Sequence, residues 1–462
     1  MSPVELGVLF VVVALILLLS GMPVAFALGG VSVGFMLGFM PAANLGQLAE
    51  TLYEGMDNFT LLAIPLFMLM GIAIGRTRAA ADLYESIYRW TSRLPGGLGV
   101  ANVIGCAIFA SMCGSSTATS AAIGAMGIPE MRRRGYPRGF AGALIACGGT
   151  LGILFPPSVT LILYGIVAEQ SIGQLFLAGV VPGVLLATLF ALWVIAASFR
   201  RERPRPRPAL ARSGRPVGAA IAAREADEES NATVAEHFSW HERVESLPRL
   251  LPFFSIICIV MIALYGGFAT PSEVSGVGAF ATLAMVAIVY RCRHWREIRS
   301  IVLGTAEYAS MIMMIIAMAF LFSYVMSYLY ITQSTTQWLV GLKIPDWEFL
   351  FWIDVLIIVM GFFLPPVAIV LMITPIVLPG LLARGFDPIW FGVNMSLVME
   401  TGLIHPPVGL NLFVIQGIAP DIGLKELMLA VLPFLIIILV FVVAFSAFPQ
   451  IALFLPGLFF RH

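Results

Sequence analysis

Two ionisable side chains lie inside a long apolar segment, where charge is expensive. Glu400 and His405 stand close together in the run 389–418. An ionised side chain at the centre of a bilayer costs roughly 2.5–3.5 kcal/mol on insertion scales, so such residues are candidates for binding an ion or a solute. The alternative is structural, with Glu400 neutral or hydrogen-bonded and His405 capping a broken helix. Asn411, further along, can supply an amide oxygen to the same place.

A pair of prolines interrupts each of two apolar segments. Segment 139–168 contains Gly148-Gly149-Thr150 and then Phe155-Pro156-Pro157-Ser158, and segment 389–418 contains Gly402 and then Pro406-Pro407. Proline removes a backbone donor and clashes with the preceding turn, so a helix breaks there. Carbonyl groups freed in hydrocarbon are costly unless they face protein, water or an ion. We expect two broken helices whose carbonyls bind cations and whose half-helix N-termini bind an anionic solute.

Small and hydroxyl-bearing residues cluster at a third place. The run from Cys113 to Ala122 reads CGSSTATSAA, which permits close backbone approach and offers oxygen ligands. The corresponding place in the second half is Phe363-Leu364-Pro365-Pro366, with Thr374 further on. The alternative is that the small residues only allow helices to pack closely.

These residues need a membrane around them, because the composition is not that of a soluble protein. Of the 462 residues, 60% are hydrophobic and only 11% are charged. Apolar runs of the roughly 20 residues that a transmembrane helix needs recur from Val4 to Phe459. We predict an all-α polytopic membrane protein in a lipid bilayer, whose first run, Val4 to Leu19, is retained and is not a signal peptide. The net charge of zero argues against a nucleic-acid partner.

Motifs for covalent or nucleotide chemistry are missing from the sequence. It contains no G-x-x-x-x-G-K-[ST] loop for nucleotide phosphates and no H-E-x-x-H zinc motif. The five cysteines form no C-x-x-C pair and lie mostly in apolar runs, so we expect packing residues rather than disulfides or metal ligands. Neither an enzyme nor a bound cofactor is expected.

The chain repeats itself at an offset of 250 positions. The matching residues are mainly Pro and Gly, which fix unusual backbone geometry. They pair Pro129 with Pro379, Gly135 with Gly385, Gly152 with Gly402, Pro156-Pro157 with Pro406-Pro407, and Ile172-Gly173 with Ile422-Gly423. The repeats are residues 1–199 and 250–462. Between them, residues 200–249 are polar and begin RRERPRPRP, which predicts a cytoplasmic linker.

The distribution of arginine predicts how the repeats cross the membrane. Three clusters should be cytoplasmic: a first with Arg76, Arg78, Arg89 and Arg93, a second with Arg132, Arg133, Arg134 and Arg138, and a third with Arg291, Arg293, Arg296 and Arg299. Loop 41–58, acidic and without basic residues, should face the other side. Segments 97–131 and 347–381 are then re-entrant hairpins, one from each side. Each repeat has five crossings, the second repeat is inverted, and both termini are periplasmic.

Several motifs are similar to one known family, the large DctM-like membrane subunit of tripartite ATP-independent periplasmic (TRAP) transporters. The resemblance covers essentially the whole chain. It rests on Gly21-Met22-Pro23-Val24-Ala25, Ile64-Pro65-Leu66-Phe67, Gly114 to Thr119, Gly127-Ile128-Pro129-Glu130-Met131, Arg134-Gly135-Tyr136, Leu154 to Ser158, Ala178 to Gly183, and His405 to Phe413.

The resemblance implies an elevator-type carrier in the bacterial inner membrane, driven by a sodium gradient. Two partners are implied, a periplasmic substrate-binding protein that delivers the solute and a small four-helix membrane subunit. The solute is usually an organic acid such as a dicarboxylate, an oxo acid or a sugar acid. The substrate itself cannot be read from this chain.

The family's sodium clamps fall where each hairpin tip meets its broken helix. The first would be Ser115, Ser116, Thr119, Gly149 and Thr150 with the carbonyls before Pro156, and the second Pro365, Pro366, Thr374, Glu400, Thr401 and Gly402. The solute would lie between them, against Ser115, Ser116, Thr117, Thr119, Pro157, Ser158, His405 and Asn411. His405 and Cys113 depart from the family's usual Thr and Ser, which leaves the coupling ion open between Na+ and a proton.

Two other functions remain open at this point. A stand-alone cation-coupled organic anion symporter would share the repeats and hairpins but need no partner. An intramembrane enzyme or a structural scaffold is the third possibility, and only Glu400 with His405 offers such an enzyme a polar pair.

Overall fold

The computed structural model describes residues 2–200, 238–292, 294–406 and 408–460, and most of them are helical. Much of the predicted linker, together with Arg293 and Pro407, lies outside the described residues.

The helices of the first half follow the predicted runs. They are α1 Pro3–Leu19, α2 Val24–Phe39, α3 Gln47–Met56, α4 Ala63–Gly75, α5 Ala79–Thr91, α6 Gly97–Cys113, α7 Ser116–Arg133, α8 Arg138–Thr150, α9 Val159–Val167 and α10 Ile172–Arg200. Short 3-10 turns cover Ala42–Gly46, Phe59–Leu62 and Leu151–Ile153.

The helices of the second half reach the end of the described chain. They are α11 Trp240–Tyr265, α12 Pro271–Ile288, α13 Trp295–Tyr328, α14 Ile331–Gly341, α15 Asp346–Gly361, α16 Pro366–Ala383, α17 Pro388–Ile404, α18 Leu410–Ile418, α19 Leu424–Ala447 and α20 Gln450–Phe459.

Length and composition make this a polytopic membrane protein. Among the described residues, six helices are long and apolar enough to cross a bilayer, or seven if the bent pair Ala42–Met56 and Phe59–Gly75 counts as one span. Other apolar helices, including α1, α2 and α6, are shorter. Five crossings in each half therefore stays a prediction.

The segments predicted as a loop and as a linker each contain part of a helix. α3 occupies much of the predicted loop 41–58, because Leu48, Leu52 and Met56 recur at helical spacing and pack on the core. α11 begins at Trp240, inside the predicted linker 200–249. Its start is set by a capping box. The Ser239 side chain accepts from the backbone N–H of Glu242, and the Glu242 side chain accepts from the backbone N–H of Ser239. Neither helix was predicted from the sequence, and the sides of the membrane on which these segments lie stay predictions.

The two interrupted helices lie antiparallel. Near the end of α9, the Tyr164 hydroxyl donates to the carbonyl of Pro388 at the start of α17, over 2.7 Å. At the opposite end, the backbone N–H of Gly139 at the start of α8 donates to Glu426 Oε1 over 2.9 Å. The first interrupted helix therefore starts beside the loop and helix that follow the second one.

The three arginine clusters lie at one end of the helix bundle, which we call the arginine-rich end. The guanidinium of Arg134, from the second cluster, lies 4.5 Å from the centre of the Tyr88 ring, within the segment of the first. Arg76, from the first cluster, donates to Ser300 Oγ over 2.9 Å, next to the third. Basic residues gathered at one end are what the positive-inside rule requires of a cytoplasmic face.

Candidate functional site

The tip of the first hairpin, between α6 and α7, presses on the break between α8 and α9. Gly114 takes a left-handed conformation with φ of 61°, which turns the chain at the tip. A Cβ at Gly114 would lie 3.1 Å from the carbonyl oxygen of Pro157, and one at Gly149 would lie 2.8 Å from the carbonyl oxygen of Ser116. The backbones of tip and break therefore approach each other this closely because glycines stand at both contacts.

Several predicted hydroxyl ligands of this first site bond to nearby backbone. Thr119 Oγ1 donates to the Ser115 carbonyl over 2.8 Å, and Thr150 Oγ1 donates to Cys147 over 2.5 Å. Ser158 caps α9 by accepting from the Leu161 amide. Each of these hydroxyls is placed by its own helix.

The second hairpin meets its break through two glycines. A Cβ on Gly402 would lie 2.6 Å from Cα of Gly361, so α15 and α17 touch backbone to backbone. Thr401 Oγ1 donates to the carbonyl oxygen of Leu397 in its own helix over 3.1 Å. Thr374 lies about 12 Å along α16 from Pro366, by the helical rise, and its hydroxyl points to Met395 Sδ at 3.7 Å. The structure thus places Thr374 away from the tip.

Glu400 is buried and joins the two halves. Its Oε2 accepts from Ser116 Oγ over 3.1 Å, and only 2% of the residue is exposed. Asn411 Nδ2 donates both to Ser116 Oγ, over 2.8 Å, and to the Ala146 carbonyl, over 3.0 Å. Glu400 Oε1 and Asn411 Oδ1 are buried without a hydrogen-bond partner among the described residues. These two oxygens are therefore available as hydrogen-bond acceptors or as ligands.

His405 sits at the second break in the position of a helix cap. α17 ends at Ile404 and His405 is its C-cap. The imidazole stacks on Phe362, with ring centres 4.6 Å apart, and Nδ1 lies 2.5 Å from the Pro406 carbonyl oxygen. These contacts match the structural alternative for His405 and tie the break to the second hairpin.

A cavity of about 160 Å³ lies between the two hairpin tips and the two breaks. Four helices begin at it, and their first residues line the wall: Ser116 and Thr117 of α7, Val159 and Thr160 of α9, Pro366 and Val367 of α16, and Leu410 of α18. None of the described residues lining the cavity is charged. Ser115 and Pro365, the N-caps of α7 and α16, line it as well.

Part of this cavity was not expected from the sequence. Its far wall comes from α4 and α13, through Met68, Tyr308, Met311, Ile312 and Ile315. These side chains are apolar or aromatic and lie in apolar helices, so no residue type or spacing marks them. Only the packing of the helices brings them to this cavity.

Comparison with known proteins decides the family. The family model described as the DctM component of the tripartite ATP-independent periplasmic transporter matches residues 11–451. The chain belongs to this family. Its members are transporters rather than enzymes. As a DctM-family chain it is 32% identical over 456 residues to the C4-dicarboxylate TRAP transporter large permease protein of Rhodobacter capsulatus, covering 96% of this chain and 97% of that one.

Other relatives align with almost the whole length of this chain. The corresponding C4-dicarboxylate protein of Pseudomonas aeruginosa is 34% identical, with 90% of each chain covered. The sialic acid large permease protein of Vibrio cholerae is 28% identical, with 96% of this chain and 97% of that one covered. Among solved structures, the YdaH transporter of Alcanivorax borkumensis matches with a TM-score of 0.60, covering 97% of this chain and 98% of that one, at 14% identity. That last likeness concerns the fold alone.

Proposed function

We propose that this chain is the large permease subunit of a TRAP transporter that takes up a small organic acid together with sodium ions. The observation that carries the proposal is the cavity at which four helices begin, beside a buried carboxylate. The further elements of the proposal are an elevator movement, two inverted repeats, and a bacterial inner-membrane location with the arginine-rich end and the linker in the cytoplasm and both termini periplasmic.

The anion would be held by helix N-termini. Each α-helix leaves N–H groups unpaired at its start and carries a partial positive charge there, which favours an anion. α7, α9, α16 and α18 all begin at the cavity wall. With no charged side chain among the described lining residues, these four helix starts are the anion-binding groups available to a carboxylate. The hydroxyls of Ser115, Ser116 and Thr117 add donors at the same wall.

The cations would be held beside the solute by oxygen atoms. Sodium is a hard cation, and hard cations prefer carboxylate, carbonyl and hydroxyl oxygens. Such oxygens are the unpartnered Oε1 of Glu400, the Ser116 carbonyl at the first tip and the Pro157 carbonyl at the first break. A cation there also offsets the charge of a buried carboxylate, which otherwise has a single hydroxyl donor.

The antiparallel interrupted helices support inverted repeats and alternating access. Residues at the end of α9 meet the start of α17, while the start of α8 meets the chain beyond α18. Two hairpins thus approach one cavity from opposite ends of the bundle, so a movement can open either side. Relatives named for C4-dicarboxylates and for sialic acid support an organic-acid substrate.

The partners proposed are a soluble periplasmic binding protein and a small membrane subunit. One relative, the isethionate permease protein DctMQ of Oleidesulfovibrio alaskensis, is 31% identical over 98% of this chain, which spans 66% of that protein. The remaining third of that chain leaves room for a fused second subunit. Here the small subunit would be a separate chain.

Reconstitution tests this proposal. The permease is incorporated into liposomes with the small subunit and binding protein encoded beside it, and uptake of a labelled C4-dicarboxylate and of a sialic acid is followed. We expect uptake of an organic acid only with an inward sodium gradient and only with the binding protein present. Uptake that survives collapse of the sodium gradient by an ionophore refutes sodium coupling. Uptake without the binding protein would instead identify a stand-alone symporter.

A further inference from the structure

The cavity between the hairpin tips and the breaks, in which we propose that the solute binds, is called the solute cavity. A second cavity of about 500 Å³ lies beside it. It runs between α7, the second arm of the first hairpin, and the helices α4 and α13. Cys113 and Tyr308 line both cavities, so the two meet at these residues. At its far end the larger cavity reaches Arg76 and Thr77, at the arginine-rich end of the bundle. We call this larger cavity the vestibule.

The walls of the vestibule are built from small residues. Alanines on α7, among them Ala118, Ala122 and Ala125, face glycines of α4 and Gly304 of α13. Ile72, Phe109 and Met126 also line the vestibule, so the small residues form one stretch of its wall between the solute cavity and the surface. The hairpin still touches α4 at its tip, where a Cβ at Gly71 would lie 2.6 Å from Cα of Cys113, so the vestibule opens beyond this contact, toward Arg76.

The second hairpin is held tightly against its neighbours at the opposite end. Arg384, after α16, donates to the carbonyls of Leu339 and Leu342 over 3.1 and 2.6 Å and pairs with Asp346 over 3.1 Å. A Cβ at Gly380 would lie 3.2 Å from the Leu339 side chain. The bundle is therefore closed along α14 and α16 and open along the vestibule.

Arg76 stands at the vestibule mouth with its charge uncompensated. The side chain is exposed and donates to the hydroxyl of Ser300, a neutral group, over 2.9 Å. Within the described part of the chain, no carboxylate lies within 4.0 Å of its guanidinium. A guanidinium is charged at every physiological pH and binds a carboxylate through paired N–H groups.

We propose that the vestibule is the path by which the solute leaves toward the arginine-rich end, and that Arg76 is a transient anion-binding residue at its mouth. This rests on the proposed function, since it takes the solute to be an organic anion. The helix starts release the carboxylate into the vestibule, and Arg76 is the next positive charge that it meets. Arg76 therefore sets the apparent affinity for the solute on this face of the protein and leaves the opposite face unchanged.

Sided exchange measurements test the proposal. Liposomes with permease and small subunit in one known orientation, and with the binding protein supplied at the face opposite the arginine-rich end, are assayed for exchange of labelled organic acid, with the solute concentration varied on one face at a time. For Arg76→Gln, we expect the KM at the arginine-rich face to rise by about fivefold, as expected for the loss of one charge contact in water, with the other face unaltered. Arg76→Lys should retain much of the affinity.

Arg78→Gln is the matched control, because Arg78 is an exposed arginine in the same loop that does not line the vestibule. Equal effects of the two substitutions, or an equal change on both faces, would overturn the role of Arg76. The assay is repeated in vesicles with and without anionic lipid. An Arg76→Gln effect that occurs only with anionic lipid means that Arg76 binds a headgroup, and this also overturns the proposal.

Thiol labelling tests the path independently of transport kinetics. Ala122→Cys should react with a membrane-impermeant thiol reagent applied to the arginine-rich face, above the level of the unaltered protein, and the solute should slow the reaction. Labelling only from the opposite face, or none at all, contradicts the path. If the unaltered protein transports no solute, the proposed function fails, and the face from which Ala122→Cys is labelled still decides where the vestibule opens.

Discussion

Ser116, at the tip of the first hairpin, donates a hydrogen bond of 3.1 Å to Glu400, in the interrupted helix of the second half, although 284 positions separate them. The same hydroxyl accepts from Asn411 over 2.8 Å. A hairpin from one repeat is thus joined to a carboxylate and an amide from the other. Movement of this tip changes the surroundings of the buried carboxylate, which links the opening of the cavity to the groups that would hold a cation.

Glu400→Gln should weaken sodium dependence while leaving the fold intact. Glutamine keeps the shape and an oxygen that accepts from Ser116, but it removes the negative charge that a cation would offset. We expect the sodium concentration for half-maximal uptake to rise by about tenfold or more, in line with roughly 1.5–3 kcal/mol for a charged contact. The measurement is uptake against external sodium. Glu54→Gln, at an exposed glutamate of α3, is the control and should have no effect. An unchanged sodium curve for Glu400→Gln excludes Glu400 as a ligand.

Gly402→Ala should destabilise the second clamp. The added methyl would lie 2.6 Å from Cα of Gly361, and a backbone atom on a packed helix cannot move aside as a flexible side chain can. Overpacking of this kind typically costs about 1–3 kcal/mol. Thermal unfolding in detergent should shift to lower temperature and uptake should fall. Gly417→Ala, with nothing within 4 Å of the added Cβ, is the control and should be neutral. Equal stability of both variants would show that α15 and α17 can separate at no cost.

The sequence predicted the parts of the site that depend on local chemistry. Proline pairs break helices wherever they occur, so both breaks were placed correctly, and the small residues around Gly114 do form a tip. Pairings across the halves, such as Ser116 with Glu400, depend on how the helices pack, and no spacing reveals them. Tyr308 and Met311 carry no polar signal in their apolar helix. Thr374 was assigned to the second clamp from the family resemblance and lies further along α16 than the tip, so its role as a ligand stays a prediction.

Arg384→Gln should loosen the second hairpin. The guanidinium binds three carbonyls and the Asp346 carboxylate, and it lies 4.3 Å over the Phe349 ring. The Arg384 side chain is only 10% exposed, but that of Asp346 is 64% exposed, so the bonds to the carbonyls contribute more than the screened ion pair. We expect a loss of about 2–4 kcal/mol in stability and faster thiol labelling of Gly380→Cys from the end opposite the arginines.

Lysine cannot replace the planar fork of Arg384, so Arg384→Lys should restore little stability. Arg133→Gln, at a side chain that is 78% exposed, serves as the control and should leave both stability and labelling unchanged. If Arg384→Gln melts like the parent and Gly380→Cys stays protected, the hairpin is held by apolar packing alone.

The buried pair Asp354 and Asn394 should behave as a unit. Asn394 Nδ2 donates to Asp354 Oδ1 over 2.8 Å, between α15 and α17, and both residues are buried. At the offset of 250, the first half has Ile104 and Leu144 at these positions. Asn394→Leu alone leaves a buried carboxyl group without its hydrogen-bond donor and should cost about 1–3 kcal/mol, whereas the double replacement Asp354→Ile with Asn394→Leu should be close to neutral. Thermal unfolding of both single variants and the double variant measures the coupling, and strictly additive losses would show that the hydrogen bond does not matter. A double variant that is stable but transports nothing would place the pair on the ion or solute path.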